Sequence, residues 1–415
     1  MEYLPRAVDQ QVGVMLGAVG AVVLEGPRAC GKTSTGLQHA ASSVRLDRDP
    51  SLVSLAELNP SALLRGDTPR LIDEWQLAPG LWNPIRHAID DRQARGQFLL
   101  SGSATPADDV TRHSGAGRFA RIRMRTMSLA ESRRSSCDVS LSGLGDSPVT
   151  GVSPLSYAAL AEQAVTGGWP ALLEAGPAEA IAFNRAYCDN IVMVEVPEAV
   201  GVRHDPQAMR RLLESVARNI SGEATLRSLA ADVRGGGEVP DTGTVRRYLD
   251  ALTRVFALEE LPAWSVALRS KSRLRTAAKL HLADPALACA VLGAGPDRLA
   301  RDPEFFGQVF ESMVIRDLRA LSSAEGGTVY HYRDNTGLEV DAIIEYPDGR
   351  WGAVEVKLGS ARIAEAEKNL QVLRDERVDT ARVGPPAFMA VVTGTEYAYT
   401  LPSGVHVVPL GTLGP

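Results

Sequence analysis

At 415 residues the chain is longer than a single hydrophobic core serves, so two or three domains are expected. Its 45% hydrophobic and 23% charged residues are usual for a globular protein, and a net charge of −6 excludes a surface coated throughout for nucleic acid. The four scattered cysteines, Cys30, Cys137, Cys188 and Cys289, have neither metal-ligand nor redox-motif spacing; with an N-terminus that lacks signal-peptide shape, this fits a reducing, cytoplasmic setting.

The uncharged run from Gln10 to Leu24 is too short to span a membrane and is interrupted by glycines, which reads as a helix end followed by a first core strand. That strand, Ala21 to Leu24, leads into Gly26-Pro27-Arg28-Ala29-Cys30-Gly31-Lys32-Thr33 and then a helix-compatible run from Ser34 to Ala41. A strand, this G-x-x-x-x-G-K-T loop and a helix together predict a phosphate-binding P-loop for ATP. Backbone N–H groups of residues 26–34, Ser34 included, surround the phosphates at the positive end of the helix. Lys32 is expected on the β- and γ-phosphates and the Thr33 hydroxyl on Mg²⁺.

Leu71-Ile72-Asp73-Glu74 is the next strand end. Behind a P-loop it predicts Asp73 supporting Mg²⁺ and Glu74 polarising the attacking water; the plainer alternative is a pair of acids capping a helix. Phe98 to Ser103 predicts a buried strand that places Ser103, or Ser101, as a polar sensor of the γ-phosphate. Arg112 and Arg118 lie in a glycine-containing loop, and either is a candidate to stabilise transition-state charge, in its own subunit or in a neighbour's within an oligomer.

These motifs, with Leu4-Pro5-Arg6, Ile-Asp-Glu-Trp-Gln, Leu-Ser-Gly-Ser and Met127 to Glu131, resemble a prokaryotic family of AAA+-like ATPases joined to a C-terminal domain of uncharacterised function. The resemblance implies a P-loop parallel-sheet fold of the AAA+/ASCE type, over residues 1–134, that binds and hydrolyses ATP.

Residues 135–155, rich in serine and glycine, are expected to be a flexible linker. Residues 156–220 predict helices, and residues 221–300 have a winged-helix rhythm, with Val245, Tyr248, Leu249 and Leu252 inward on a helix from Thr244 to Val255. Arg246, Arg247 and Arg254 are expected to face outward, and Arg269, Lys271, Arg273, Arg275 and Lys279 follow without an intervening acid. The stretch 244–279 is therefore a candidate contact for DNA or RNA, or else a solvated face of a protein-binding winged helix.

Residues 301–415 predict a helix carrying Glu311, three strands, a helix and a further strand. That order, with Asp341 and Glu355-Val356-Lys357, resembles PD-(D/E)XK nucleases, an α/β restriction-endonuclease-like fold. Pro347-Asp348-Gly349 suits a three-residue hairpin with Gly349 left-handed, a register that sets Asp341 opposite Glu355. On the reverse face Val340, Ala342 and Ile344 are expected to line up as an apolar side. A divalent cation between Asp341 and Glu355, with Glu311 completing its shell and Lys357 activating water, is one reading. The other is a degenerate site in which lysine neutralises the acids and the domain serves a nucleotide-gated regulator.

Overall fold

The computed structural model describes residues 2–103, 115–200, 205–234, 242–265 and 277–415. Arg112, Arg269, Lys271, Arg273 and Arg275 fall outside the described residues.

The N-terminal unit begins with α1 (Val8–Ala18), which buries Val8 and Val12, and β1 (Ala21–Glu25), where Ala21, Val22, Val23 and Leu24 are fully buried. After β1 come α2 (Lys32–His39), β2 (Ser42–Arg45), α3 (Pro50–Leu58), β3 (Arg70–Asp73), α4 (Trp82–Arg92), β4 (Phe98–Gly102) and β5 (Phe119–Arg123). The strands form one parallel sheet in the order β2-β3-β4-β1-β5. Chain leaving β1 runs to one side of the sheet and chain leaving β4 runs to the other. The crevice beyond the C-terminal ends of these two strands is where open α/β sheets receive ligands.

The middle is helical: α5 (Tyr157–Thr166), α6 (Pro177–Asn190), a π-helical turn at Ile191–Glu195, α7 (Val196–Val200), α8 (Pro206–Arg218), α9 (Leu226–Val233) and α10 (Thr242–Arg254). An antiparallel pair follows, β6 (Leu258–Leu261) with β7 (Lys279–Leu282), then α11 (Pro285–Val291). On α10, Val245, Leu249 and Leu252 are buried whereas Arg246, Arg247 and Arg254 are exposed, as the helical spacing predicts.

The C-terminal unit contains α12 (Pro303–Ser322), β8 (Thr328–Arg333), β9 (Glu339–Glu345), β10 (Trp351–Lys357), α13 (Ile363–Val372), β11 (Phe388–Thr393), β12 (Tyr397–Thr400) and β13 (His406–Pro409). Its mixed sheet runs β8-β9-β10-β11-β13-β12 and ends on Gly151–Val152. The turn between β9 and β10 closes with Tyr346 N–H on Arg350 O at 2.9 Å and Gly349 at φ 88°, and Ala342 pairs with Val354.

Two expectations need correction here. Residues 135–155 are not a free linker. Val139–Ser140 pairs with Leu413–Gly414, Gly151–Val152 extends the sheet, and Val139, Leu141 and Leu144 are buried. Serine and glycine content says little here, because backbone N–H and C=O groups make the ladder whatever side chains they carry. Nor does Val340 share a face with Ala342 and Ile344. A β-bulge, where His331 of β8 faces both Asp341 and Ala342, breaks the alternation and puts Val340 among Ile343, Ala353 and Trp351.

Candidate nucleotide site and the acidic cluster

The loop after β1 has the backbone that phosphate cradling needs. Gly26 (φ 157°) lies so close to Met124 O that a Cβ there would come within 2.3 Å, and Gly31 (φ 104°) opens α2. Ala29 is also left-handed, at φ 62°. Lys32 is buried and its Nζ donates to Gly26 O at 3.0 Å and Pro27 O at 2.8 Å. The Thr33 hydroxyl donates to Asp73 Oδ1 at 2.9 Å. Asp73, at 0% exposure, also accepts from Ser101 Oγ and pairs with Arg45 Nε at 3.2 Å.

Glu74 stands beyond the strand end in a left-handed conformation, φ 55°. Gln76 donates to its carboxylate, and Ser103 Oγ lies 3.4 Å from it. The structure thus divides the two serines, Ser101 beside Asp73 and Ser103 beside Glu74. Sequence reasoning misses Gln76, whose only sequence signal is its place in Ile-Asp-Glu-Trp-Gln. It also misses Arg6, whose guanidinium donates to Cys30 O at 2.8 Å and Arg125 O at 2.8 Å and pairs with Glu131 at 3.0 Å. Arg6 thereby anchors the loop to the chain beyond β5. A cavity of about 320 Å³ adjoins Gly31, lined by Tyr3, Leu4, Ser34, Met127, Pro170 and Leu173 among others.

Arg118 requires a correction. It precedes β5, and its carbonyl accepts from Ala21 N–H at the start of β1. In a parallel sheet that is the edge opposite the P-loop, with roughly 16 Å of strand between them. Arg118 pairs with Asp90 at 2.9 Å and has no access to its own loop.

The second acidic site gathers residues from five elements, β7, α12, β9, β10 and α13. Lys357 Nζ lies 2.5 Å from Glu355 Oε2 and 3.5 Å from Asp341 Oδ2. Asp341 also accepts from Val356 N–H at 2.8 Å, and Glu355 accepts from Asn369 of α13 at 3.1 Å. Lys279, reached from β7, places Nζ 2.8 Å from Glu311, 2.7 Å from Glu339 and 3.7 Å from Asp341. Burial pushes the Glu311 and Glu355 carboxyls up to about 8, with Asp341 adding to both. Burial would raise Asp341 as well, but Lys357, Lys279 and the Val356 N–H hold it below its ordinary value.

The residues present do not fit the expected metal shell. Among the described residues no three His, Cys, Asp or Glu are arranged to hold a metal ion, and an ammonium fills the space between Glu311 and Asp341. Lys279 is likewise no surface cation for nucleic acid, being 3% exposed.

A glycine-rich loop at a sheet switch point, a lysine and threonine opening the next helix and an acid pair at the end of β3, one strand removed from β1, are the features of an AAA-type P-loop ATPase domain. Comparison with known proteins agrees: residues 19–132 match the AAA domain family. Residues 157–298 and 306–413 match two domains of unknown function, DUF8612 and DUF4143. The uncharacterized protein Rv2008c of Mycobacterium tuberculosis is 27% identical over 398 residues, covering 94% of this chain and 79% of that protein. Uncharacterized protein Mb2031c of Mycobacterium bovis gives the same figures. Among solved structures, the Walker-type ATPase PABY2304 of Pyrococcus abyssi aligns over 70% of this chain and 96% of its own, with a TM-score of 0.43 and 13% identity. Among the described residues no helix is long and apolar enough to cross a membrane.

Proposed function

We propose that this protein binds ATP with Mg²⁺ at residues 26–34 and hydrolyses it, using the nucleotide state to reposition its helical middle and C-terminal units. The observation that carries the reading is the convergence of Lys32, Thr33, Asp73, Glu74 and Ser101 on one sheet edge. Mg²⁺ carried with the nucleotide would be held by Thr33 and Asp73, where it would neutralise charge on the phosphates. Lys32 would turn from its loop carbonyls to the β- and γ-phosphates. Glu74, oriented by Gln76 and Ser103, polarises the attacking water, and the cavity beside Gly31 takes the base.

The chain past β5 is tied to the rest of the molecule by buried polar contacts, which supports coupling. Thr126 and the Gly168 N–H both donate to Asp284, at 2.6 and 2.8 Å, and Arg316 joins them at 3.2 Å. Arg123, Arg125 and Arg319 all pair with Glu259. For the C-terminal unit, the nuclease-like resemblance is read as a binding domain that cuts nothing, because Lys279 and Lys357 already neutralise its acids. The winged-helix-like α9 to β7 segment offers Arg246, Arg247 and Arg254 to a phosphodiester backbone.

Phosphate release from MgATP by wild type, Lys32→Ala and Glu74→Gln tests the first part. Turnover by wild type, loss of binding in Lys32→Ala and binding without turnover in Glu74→Gln are expected. Labelled DNA and RNA with Mg²⁺ or Mn²⁺ test the second: cleavage that disappears in Asp341→Ala would restore the metal-nuclease reading.

A further inference from the structure

The P-loop is held from outside its own domain. The Tyr187 hydroxyl of α6 donates to Arg28 O at 3.1 Å. The Arg28 side chain pairs with Glu198 of α7 at 3.0 Å and with Glu195 at 3.7 Å. Glu195 ends the π-helical turn between α6 and α7, and that turn is built against ordinary preference. It exposes Met193 at 56% and Val194 at 38% while burying the Glu195 side chain to 4%. Ile191 and Val192 of the turn are buried, but two apolar side chains turned outward beside a carboxylate turned inward conflict with the folding rule for water-soluble helices, and such conflicts concentrate at working sites. π-turns inside α-helices are enriched at such sites for the same reason.

The surroundings of Glu195 say what it works on. Burial pushes its carboxyl up, and the cations that pull it back are Arg28 and Lys32, both of the P-loop. Lys32 is the residue expected to receive the β- and γ-phosphates. Its ammonium is turned back onto Gly26 O and Pro27 O.

We infer that Glu195, assisted by Glu198, is an internal anionic latch that occupies the field of the P-loop and competes with the nucleotide phosphates. The inference rests on the nucleotide reading above and adds its regulation. A triphosphate seated at Lys32 brings several negative charges beside a carboxylate already short of solvent. The two do not share the site at low cost, so nucleotide entry expels the π-turn and release lets it return. Ile191, Val192 and Val196 of the same segment are packed in the core shared by the middle helices and α12. Displacing the turn therefore disturbs that packing, which gives the nucleotide a route to the C-terminal unit.

Calorimetric titration of the full chain with MgATP, MgADP and adenosine separates the possibilities. Glu195→Gln is expected to bind MgATP about fivefold tighter than wild type, MgADP with a smaller gain and adenosine unchanged. Glu198→Gln, at a solvent-exposed position, should show the same order with a smaller gain, and it serves if the buried substitution does not fold. An unchanged or weaker affinity for MgATP in the variant that folds, or an equal gain for adenosine, overturns the latch. On wild type, hydrogen exchange across residues 187–198 should rise when MgATP is added, and unchanged exchange at saturation also overturns it. Absence of MgATP binding by wild type and both variants would be a different failure, that of the nucleotide reading itself.

Discussion

Among the described residues, an aspartate sits on a strand beside other polar groups in two places, and they have opposite chemistry. Asp73 is surrounded by the hydroxyls of Thr33 and Ser101, with Arg45 at 3.2 Å, so hydroxyl oxygens and carboxylate stand together, as the proposed Mg²⁺ role requires. Asp341 is surrounded by the ammonium groups of Lys357 and Lys279 and by a backbone N–H. Acidic residues at a strand end thus do not by themselves make a metal site; the neighbours decide. Hydroxyls leave oxygen lone pairs for a cation, whereas ammonium groups take its place.

The sharpest way to break the comparison is at Glu74, the proposed base of the first site. Glu74→Gln keeps the shape of the strand end and removes the base, so turnover should fall about 10²- to 10⁴-fold while MgATP affinity is retained. Single-turnover phosphate release beside calorimetric binding checks this. Equal loss in both would mean that Glu74 is structural, the helix-capping alternative.

At the second site the largest effect is on stability. Above about pH 8, where Glu311 has lost its proton, Lys279→Met removes the cation from three carboxylates, two of them largely buried, and should destabilise the fold by about 3–5 kcal/mol, read from urea midpoints. A loss below about 1 kcal/mol would show that Lys279 is not the internal counter-ion of the cluster.

A gentler probe is pH. Glu311 and Glu355 hold their protons up to about 8 in the folded chain, whereas in the unfolded chain they lose them near 4.5. Between those values the folded state binds more protons, so the contribution of these two groups is present below about 4.5 and is lost as pH rises towards 8. The melting temperature should decline across that window, and Glu311→Gln should flatten part of the decline. A rise in melting temperature with pH, unaltered in that variant, would contradict the assignment.

These two sites also differ in how far the sequence discloses them. Lys32 and Thr33 are legible because strand, loop and helix are contiguous and the chemistry fixes their spacing, and Asp73 and Glu74 because an acid pair ends a later apolar strand behind that loop. The β9–β10 register is legible too, since Pro347-Asp348-Gly349 dictates the turn and the turn dictates the pairing. Lys279 is not, because its partners stand 32 to 62 positions along the chain and meet it only when β7 packs beside α12 and β9. In sequence it groups with neighbouring cations that share its charge and not its environment. Glu195 was hidden by the opposite effect, an acid on a helix that ordinary periodicity assigns to solvent, turned inward by a π-turn. Residues 135–155 misled through composition, since small polar side chains accompany both loops and edge strands.

The smallest effect concerns Arg118, and it tests a deduction that parallel topology makes available. A residue just before β5 belongs to the edge away from the P-loop, and its ion pair with Asp90 is solvent-exposed. Arg118→Ala should therefore shift stability by less than about 1 kcal/mol and leave the MgATP affinity of an isolated subunit unchanged. If turnover nonetheless falls, and mixing Arg118→Ala with Lys32→Ala protein restores part of it, the arginine works on a neighbour's site. Lys32→Ala subunits would then supply the intact Arg118 and Arg118→Ala subunits the intact loop, a complementation that no arrangement within one subunit produces.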